Sequence, residues 1–146
     1  ADMKNRINHV RQKVEGVSRR PGVFFQIGVS PIVSAGTNTF IHELIVEAGG
    51  RNLAADNTGY PRYTTEEVLA LAPEVIVVTS MARSRMFDKV LRRWQKWEDL
   101  PAVAHDRIYL VNSDLVDRPS PRLVKGLEKL ARLIHPELFK TDSEDN

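Results

Sequence analysis

The sequence predicts an α/β fold, with a mainly parallel sheet flanked by helices on both faces. Three observations predict it. First, β-branched and aromatic runs recur at Val23-Phe24-Phe25-Gln26-Ile27, Val75-Ile76-Val77-Val78 and Arg107-Ile108-Tyr109-Leu110-Val111. Second, the middle run is continuously apolar, as in a strand buried on both faces. Third, amphipathic helical segments separate these runs, so strand and helix alternate along the chain.

Residues 1–16 read as a helix, with Met3, Ile7, Val10 and Val14 at helical spacing and basic residues between them. Gly16 is its stop. It begins without a capping signal, as a helix entering from an upstream region would. A turn at residues 18–22 leads to the first strand, and residues 28–36 form a loop containing Pro31. Thr37 or Asn38 is expected to cap a helix over residues 39–48, which Gly49-Gly50 ends. Residues 52–55 read as a short extended piece.

The next stretch, Gly59-Tyr60-Pro61-Arg62-Tyr63-Thr64-Thr65-Glu66-Glu67, is an exposed loop running into a helix start. Pro61 biases Tyr60 away from helix. Thr64 or Thr65 is a suitable N-cap, and Glu66 and Glu67 then complement the helix dipole in the first turn. Pro73 stops this helix before the strand at 75–78. A loop at 80–84, a helix over 85–96, a connector at 100–103 and a strand at 107–111 follow. The polar, proline-stiffened loop 112–122 precedes a last helix over 123–134. Residues 141–146 read as a frayed acidic tail.

The composition, 27% charged and 42% hydrophobic, is that of a globular chain with a real core. The formal charge is +2, and Arg19-Arg20 and Arg92-Arg93 are the only adjacent basic pairs. No polybasic arm exists, and no nucleic-acid partner is expected. No apolar run approaches the roughly 20 residues of a membrane-spanning helix. With no cysteine, disulfides, thiolate metal sites and cysteine nucleophiles are excluded.

No stretch announces a catalytic centre or a cofactor. No glycine loop opens a helix as a phosphate cradle would. His9, His42, His105 and His135 stand at no metal-ligand spacing, so no metal site is expected. No serine sits in a Gly-x-Ser-x-Gly elbow. Asp114, Arg118 and Arg122 form the strongest polar cluster, and an Arg fork beside a carboxylate suits polar ligand groups. Residue types alone favour a local role there, as turn cap and solvated charge. Tyr60 and Tyr63 fit equally well as ligand contacts or as loop packing. Glu66 reads first as dipole compensation, and Trp94 and Trp97 as core and hinge packing.

In sheets of this kind, binding loops gather at the carboxyl ends of the strands. Residues 28–36, 79–84 and 112–122 leave those ends. The Tyr60 loop precedes a strand, and the order of elements does not by itself put it on that rim.

Several stretches in order carry a resemblance. They are Val23-Phe24-Phe25-Gln26-Ile27-Gly28, Gly36-Thr37-Asn38-Thr39-Phe40-Ile41-His42-Glu43-Leu44 and Ala48-Gly49-Gly50-Arg51-Asn52-Leu53. Further along come Tyr63-Thr64-Thr65-Glu66-Glu67-Val68-Leu69-Ala70, Ala72-Pro73-Glu74-Val75-Ile76-Val77-Val78, Trp97, Leu100-Pro101-Ala102-Val103, and 107–123. Together they resemble the C-terminal lobe of substrate-binding proteins for cobalamin, iron–siderophore or haem, which serve bacterial ABC importers. The ordered set, rather than any one piece, is specific, and it spans nearly the whole chain.

The resemblance implies a Rossmann-like three-layer lobe at 17–140, preceded at 1–16 by the end of an inter-lobe helix. The matching N-terminal lobe is not in this sequence, which reads as half of a binding protein, either cut from a longer chain or an unusual stand-alone lobe. The resemblance also implies a periplasmic protein or extracytoplasmic lipoprotein without catalysis, holding a metal chelate between two lobes and docking on an ABC permease. By the same resemblance, Glu66 matches a lobe-tip glutamate that meets permease arginines. Tyr60 matches an aromatic ligand contact of cobalamin binders, and Asp114 and Arg118 match polar ligand contacts. Ser30-Pro31-Ile32-Val33 matches a cleft segment in which Val33 stands where cobalamin binders carry an aromatic. A lobe with its cleft face uncovered is also expected to be prone to self-association.

Two other readings fit the same frame. One is a small α/β enzyme using Asp114, Asp117 and the arginines on an anionic metabolite. The other is a regulatory domain that dimerises through its first helix and the Tyr60 loop.

Overall fold

The structure, a computed structural model, describes residues 2–29, 31–80, 84–112 and 123–139. The chain runs α1 (Asp2–Glu15), β1 (Gly22–Gln26), β2 (Gly28–Val29), β3 (Ile32–Val33), α2 (Phe40–Glu47), β4 (Arg51–Asn52) and β5 (Arg62–Tyr63). It continues through α3 (Thr65–Leu71), β6 (Val75–Ser80), α4 (Ser84–Gln95), α5 (Pro101–Ala104), β7 (Ile108–Asn112) and α6 (Leu123–Ile134), and a 3-10 turn follows at Pro136–Leu138.

Four strands form one parallel sheet in the order β4-β1-β6-β7. Val23 pairs with Val75 and Gln26 with Val78, while Ile76 pairs with Ile108 and Thr79 with Val111. Period-two alternation divides the side chains between two buried layers. Val23, Phe25, Val75, Val77 and Val111 meet α1, α2 and α6. Phe24, Ile76, Val78 and Ile108 meet Val68 of α3, Val90 and Trp94 of α4, and Ala102 of α5. The continuous apolar runs are therefore strands covered on both faces.

The first helix is packed onto this core. Val10 and Val14 are buried in the layer shared with α2 and α6. Around them Arg6 forks onto Glu128 of α6, with Nε donating over 3.1 Å, and Arg11 forks onto Glu47 of α2 over 2.9 and 3.0 Å. Lys13 Nζ donates to the Leu138 carbonyl.

The helix ends differ from expectation at two places. Asn38 has a positive φ of 63°, which Asn tolerates, and the extended Thr39 caps α2 by accepting from the His42 N–H. Neither Thr37 nor Asn38 is the cap. The connector at 100–103 is the short helix α5, begun by Pro101 in the first turn, where its missing N–H costs nothing. Residues 81–83, 113–122 and the acidic tail from 140 onward lie outside the described residues.

Candidate functional site: the carboxyl edge of the sheet

From β1 the chain goes to β4 on one side, then returns across to β6 on the other. The carboxyl ends of β1 and β6 therefore flank a topological switch point, the place where open α/β sheets form a crevice. At the end of β1 the chain turns into β2 and β3. These two short strands join β5 in a second, antiparallel sheet. Gly28 pairs with Val33, Ile32 with Tyr63, and Val33 with Arg62. The stretch read as a plain loop at 28–36 is thus a hairpin with a partner.

That pairing places the Tyr60 loop. The Ser34 N–H donates to the Pro61 carbonyl over 3.0 Å, Gly36 to Gly59 over 2.7 Å, and Thr37 to Asn57 over 2.8 Å. A Cβ on Gly36 would lie 2.1 Å from the Asn57 carbonyl oxygen, so only glycine lets the two segments approach. Asn52, 5% exposed, braces the same corner from β4. Its Nδ2 reaches the Ala35 carbonyl at 2.8 Å and His42 Nδ1 at 3.0 Å, while its Oδ1 accepts from the Ala54 N–H. Sequence reasoning passed over Asn52 because its partners lie on other elements.

The structure separates residues that the sequence left as pairs. Tyr63 is half-buried, stacks edge-on against Phe24 at 5.4 Å and accepts at its hydroxyl from Asn57 Nδ2. It anchors the loop. Tyr60 is 60% exposed, a large aromatic on a loop whose backbone is hydrogen-bonded at Gly59 and Pro61. The two glutamates divide in the same way. Glu67 Oε1 accepts from the Thr64 N–H over 2.8 Å, and Thr64 Oγ1 accepts from the Glu67 N–H over 3.1 Å, a capping box. Glu66 is exposed in the same turn and has no hydrogen-bond or ion-pair partner among the described residues. The tryptophans also part. Trp94 is buried with its Nε1 on Gln26, while Trp97 is 43% exposed and so is not core packing.

Val33 and Tyr60 are therefore on adjoining strands of backbone at the edge of β1, with Glu66 on the first turn of α3. Asp114, Asp117, Arg118 and Arg122 lie outside the described residues. A cavity of about 470 Å³ opens on the other side of the small sheet, between Ile32 and Tyr63 on one side and Trp94 of α4 with Trp97 just after it on the other. Among the described residues no group of three His, Asp or Glu side chains could hold a metal ion. No described helix is long and apolar enough to cross a membrane.

Comparison with known proteins gives a consistent set. The family model described as periplasmic binding protein matches residues 1–115. An uncharacterized ABC transporter substrate-binding lipoprotein of Bacillus subtilis, YvrC, is 34% identical over 94% of this chain and 44% of its own length. A cobalamin-binding protein of Halobacterium salinarum is 30% identical over 92% of this chain and 38% of its own. Among solved structures, the periplasmic vitamin B12 binding protein BtuF of Vibrio cholerae superposes with a TM-score of 0.77 at 25% identity, over 91% of this chain and 51% of that one. This chain spans less than half the length of these two curated relatives.

Proposed function

We propose that this chain, which belongs to the periplasmic binding protein family, is the C-terminal lobe of the substrate-binding component of an ABC importer for a metal chelate: cobalamin, haem or a ferric siderophore. The observation that supports the reading is the 60% exposure of Tyr60, on a loop whose Gly59 and Pro61 carbonyls accept from the Gly36 and Ser34 N–H groups just after Val33. An exposed flat ring offers a macrocycle or catechol a stacking surface. Asp114 and Arg118, which follow β7 in the sequence, would supply polar contacts. Neither catalysis nor a resident cofactor is part of this reading.

The relatives' names, one of them a lipoprotein, support an extracytoplasmic place of work, as a periplasmic protein or an extracytoplasmic lipoprotein. Residues 1–16 would close an inter-lobe helix, and a second lobe upstream would supply the other cleft wall. Glu66, exposed and unpaired among the described residues, would meet arginines of the permease, an attraction that steers docking more than it tightens it.

The test is an equilibrium titration of the two-lobed protein with cobalamin, haem and ferric siderophores. Saturable one-to-one binding of one chelate is expected. Absence of binding by all of them in a folded two-lobed protein would refute the reading.

A further inference from the structure

The cavity behind the small sheet is separate from the Tyr60 rim. Ile32 and Tyr63 pair in register and pack onto the second core layer. Val33 and Arg62, one step along each strand, project to the opposite face. Neither Val33 nor Tyr60 lines the cavity. Its volume, about 470 Å³, lies in the roughly 300–1,000 Å³ range of small-molecule sites.

Three side chains from the end of α4 and the turn after it give this cavity a chemical character. Arg93, Lys96 and Trp97 line it at helical spacing, and all three are exposed. Neither cation has a hydrogen-bond or ion-pair partner among the described residues. The backbone that carries the indole is fixed: the Trp97 backbone N–H donates to the Trp94 carbonyl over 2.9 Å, and the Trp97 carbonyl accepts from the Leu100 backbone N–H over 3.0 Å. Below, the buried bond between Trp94 and Gln26 makes a rigid floor. Thr64 and Thr65 complete the lining.

An exposed indole on a fixed turn suits an aromatic face. Two cations beside it, without partners among the described residues, suit an anion, with Arg able to fork onto a carboxylate. We propose that this cavity is a second ligand site, taking a small planar aromatic carboxylate whose ring lies on Trp97 and whose carboxylate meets Arg93 and Lys96. The site uses neither Tyr60 nor Glu66 and is independent of the chelate reading.

The test uses this chain and three probes: 2-naphthoate, its neutral analogue 2-naphthalenemethanol, and inorganic phosphate. Binding is followed by calorimetry and by tryptophan emission. The proposal expects one-to-one binding of 2-naphthoate, about tenfold or more tighter than either control, as a charge-assisted contact worth at least 1.4 kcal/mol requires. Trp97→Ala should abolish it, and the double variant Arg93→Ala/Lys96→Ala should weaken it about tenfold or more. Trp97→Leu replaces the alanine variant if that one does not fold. Tyr60→Ala should leave the affinity unchanged. Equal binding of the neutral analogue or of phosphate, indifference to the Trp97 or cation variants, or no saturation at all would overturn the proposal.

Discussion

Trp94 Nε1 donates a 2.8 Å hydrogen bond to Gln26 Oε1, joining α4 to the last residue of β1 inside the protein. Both residues are 3% exposed. The bond fixes the strand end from which the β2–β3 hairpin departs, so it links the core to the geometry of the rim. Gln26→Met keeps the volume and strands the indole N–H. Loss of about 1–3 kcal/mol is expected, the cost of a buried donor without a partner, read as a lower urea midpoint. An unchanged midpoint would mean that the bond is not made in solution.

Glu66 and Glu67 are neighbours with opposite expectations. Glu67→Ala removes half of the capping box and should cost about 0.5–1.5 kcal/mol of stability, the net worth of one hydrogen bond. Glu66→Ala removes an exposed carboxylate with no partner among the described residues and should change stability by less than about 0.5 kcal/mol. In the two-lobed protein, Glu66→Ala should reduce transport while ligand affinity stays the same. Thermal melts and a transport assay on the pair separate the roles, and equal transport by wild type and Glu66→Ala would remove Glu66 from the docking surface.

Glu74 makes stability depend on acid. Burial works to raise its carboxyl, but the Gly22 N–H, the Arg19 guanidinium and the Arg107 charge outweigh it and hold the group below the ordinary glutamate value. A depressed folded value stabilises the fold above the unfolded value near 4.5, and that contribution is lost as pH falls through the folded value. Glu74→Gln should flatten this acid limb. At neutral pH it should cost only about 1 kcal/mol, because Arg19 is exposed and solvent screens the pair. Urea midpoints from pH 7 to 3 test it, and identical acid limbs in both proteins would contradict it.

Gly49 has φ +91°, and a Cβ there would sit 2.7 Å from Cδ2 of the buried His135. That ring spans the Gly49 carbonyl at 2.8 Å and Glu137 at 2.9 Å, so it cannot easily move aside. Gly49→Ala should lose at least about 1–2 kcal/mol from backbone strain alone. A variant as stable as wild type by urea unfolding would show that this corner is softer than its geometry implies.

The core was readable because its signals are local. Val75-Ile76-Val77-Val78 looks like a strand covered on both sides because every residue in it is apolar. Leu123, Val124, Leu127, Leu130 and Ile134 carry helical spacing over three turns. The rim was harder to read. Two-residue strands such as Ile32–Val33 and Arg62–Tyr63 show no periodicity, and their pairing depends on residues about thirty positions apart. The exposure of Trp97 was hidden for a similar reason. It follows the buried Trp94 by three positions, a spacing that suggests one buried face, but α4 ends at Gln95 and the turn carries the second indole outward. The Pro101 signature of α5 was present and was read as a connector.

The most direct measurement is the chelate affinity of the two-lobed protein with and without Tyr60→Ala, alongside melting temperatures. An exposed side chain can be removed with little effect on the fold, so affinity reports the contact itself. The account predicts about 10–100-fold weaker binding, equivalent to 1.4–2.8 kcal/mol, at an unchanged melting temperature. Equal affinity in both proteins would contradict it and would move the ligand off the rim that Val33 and Tyr60 share.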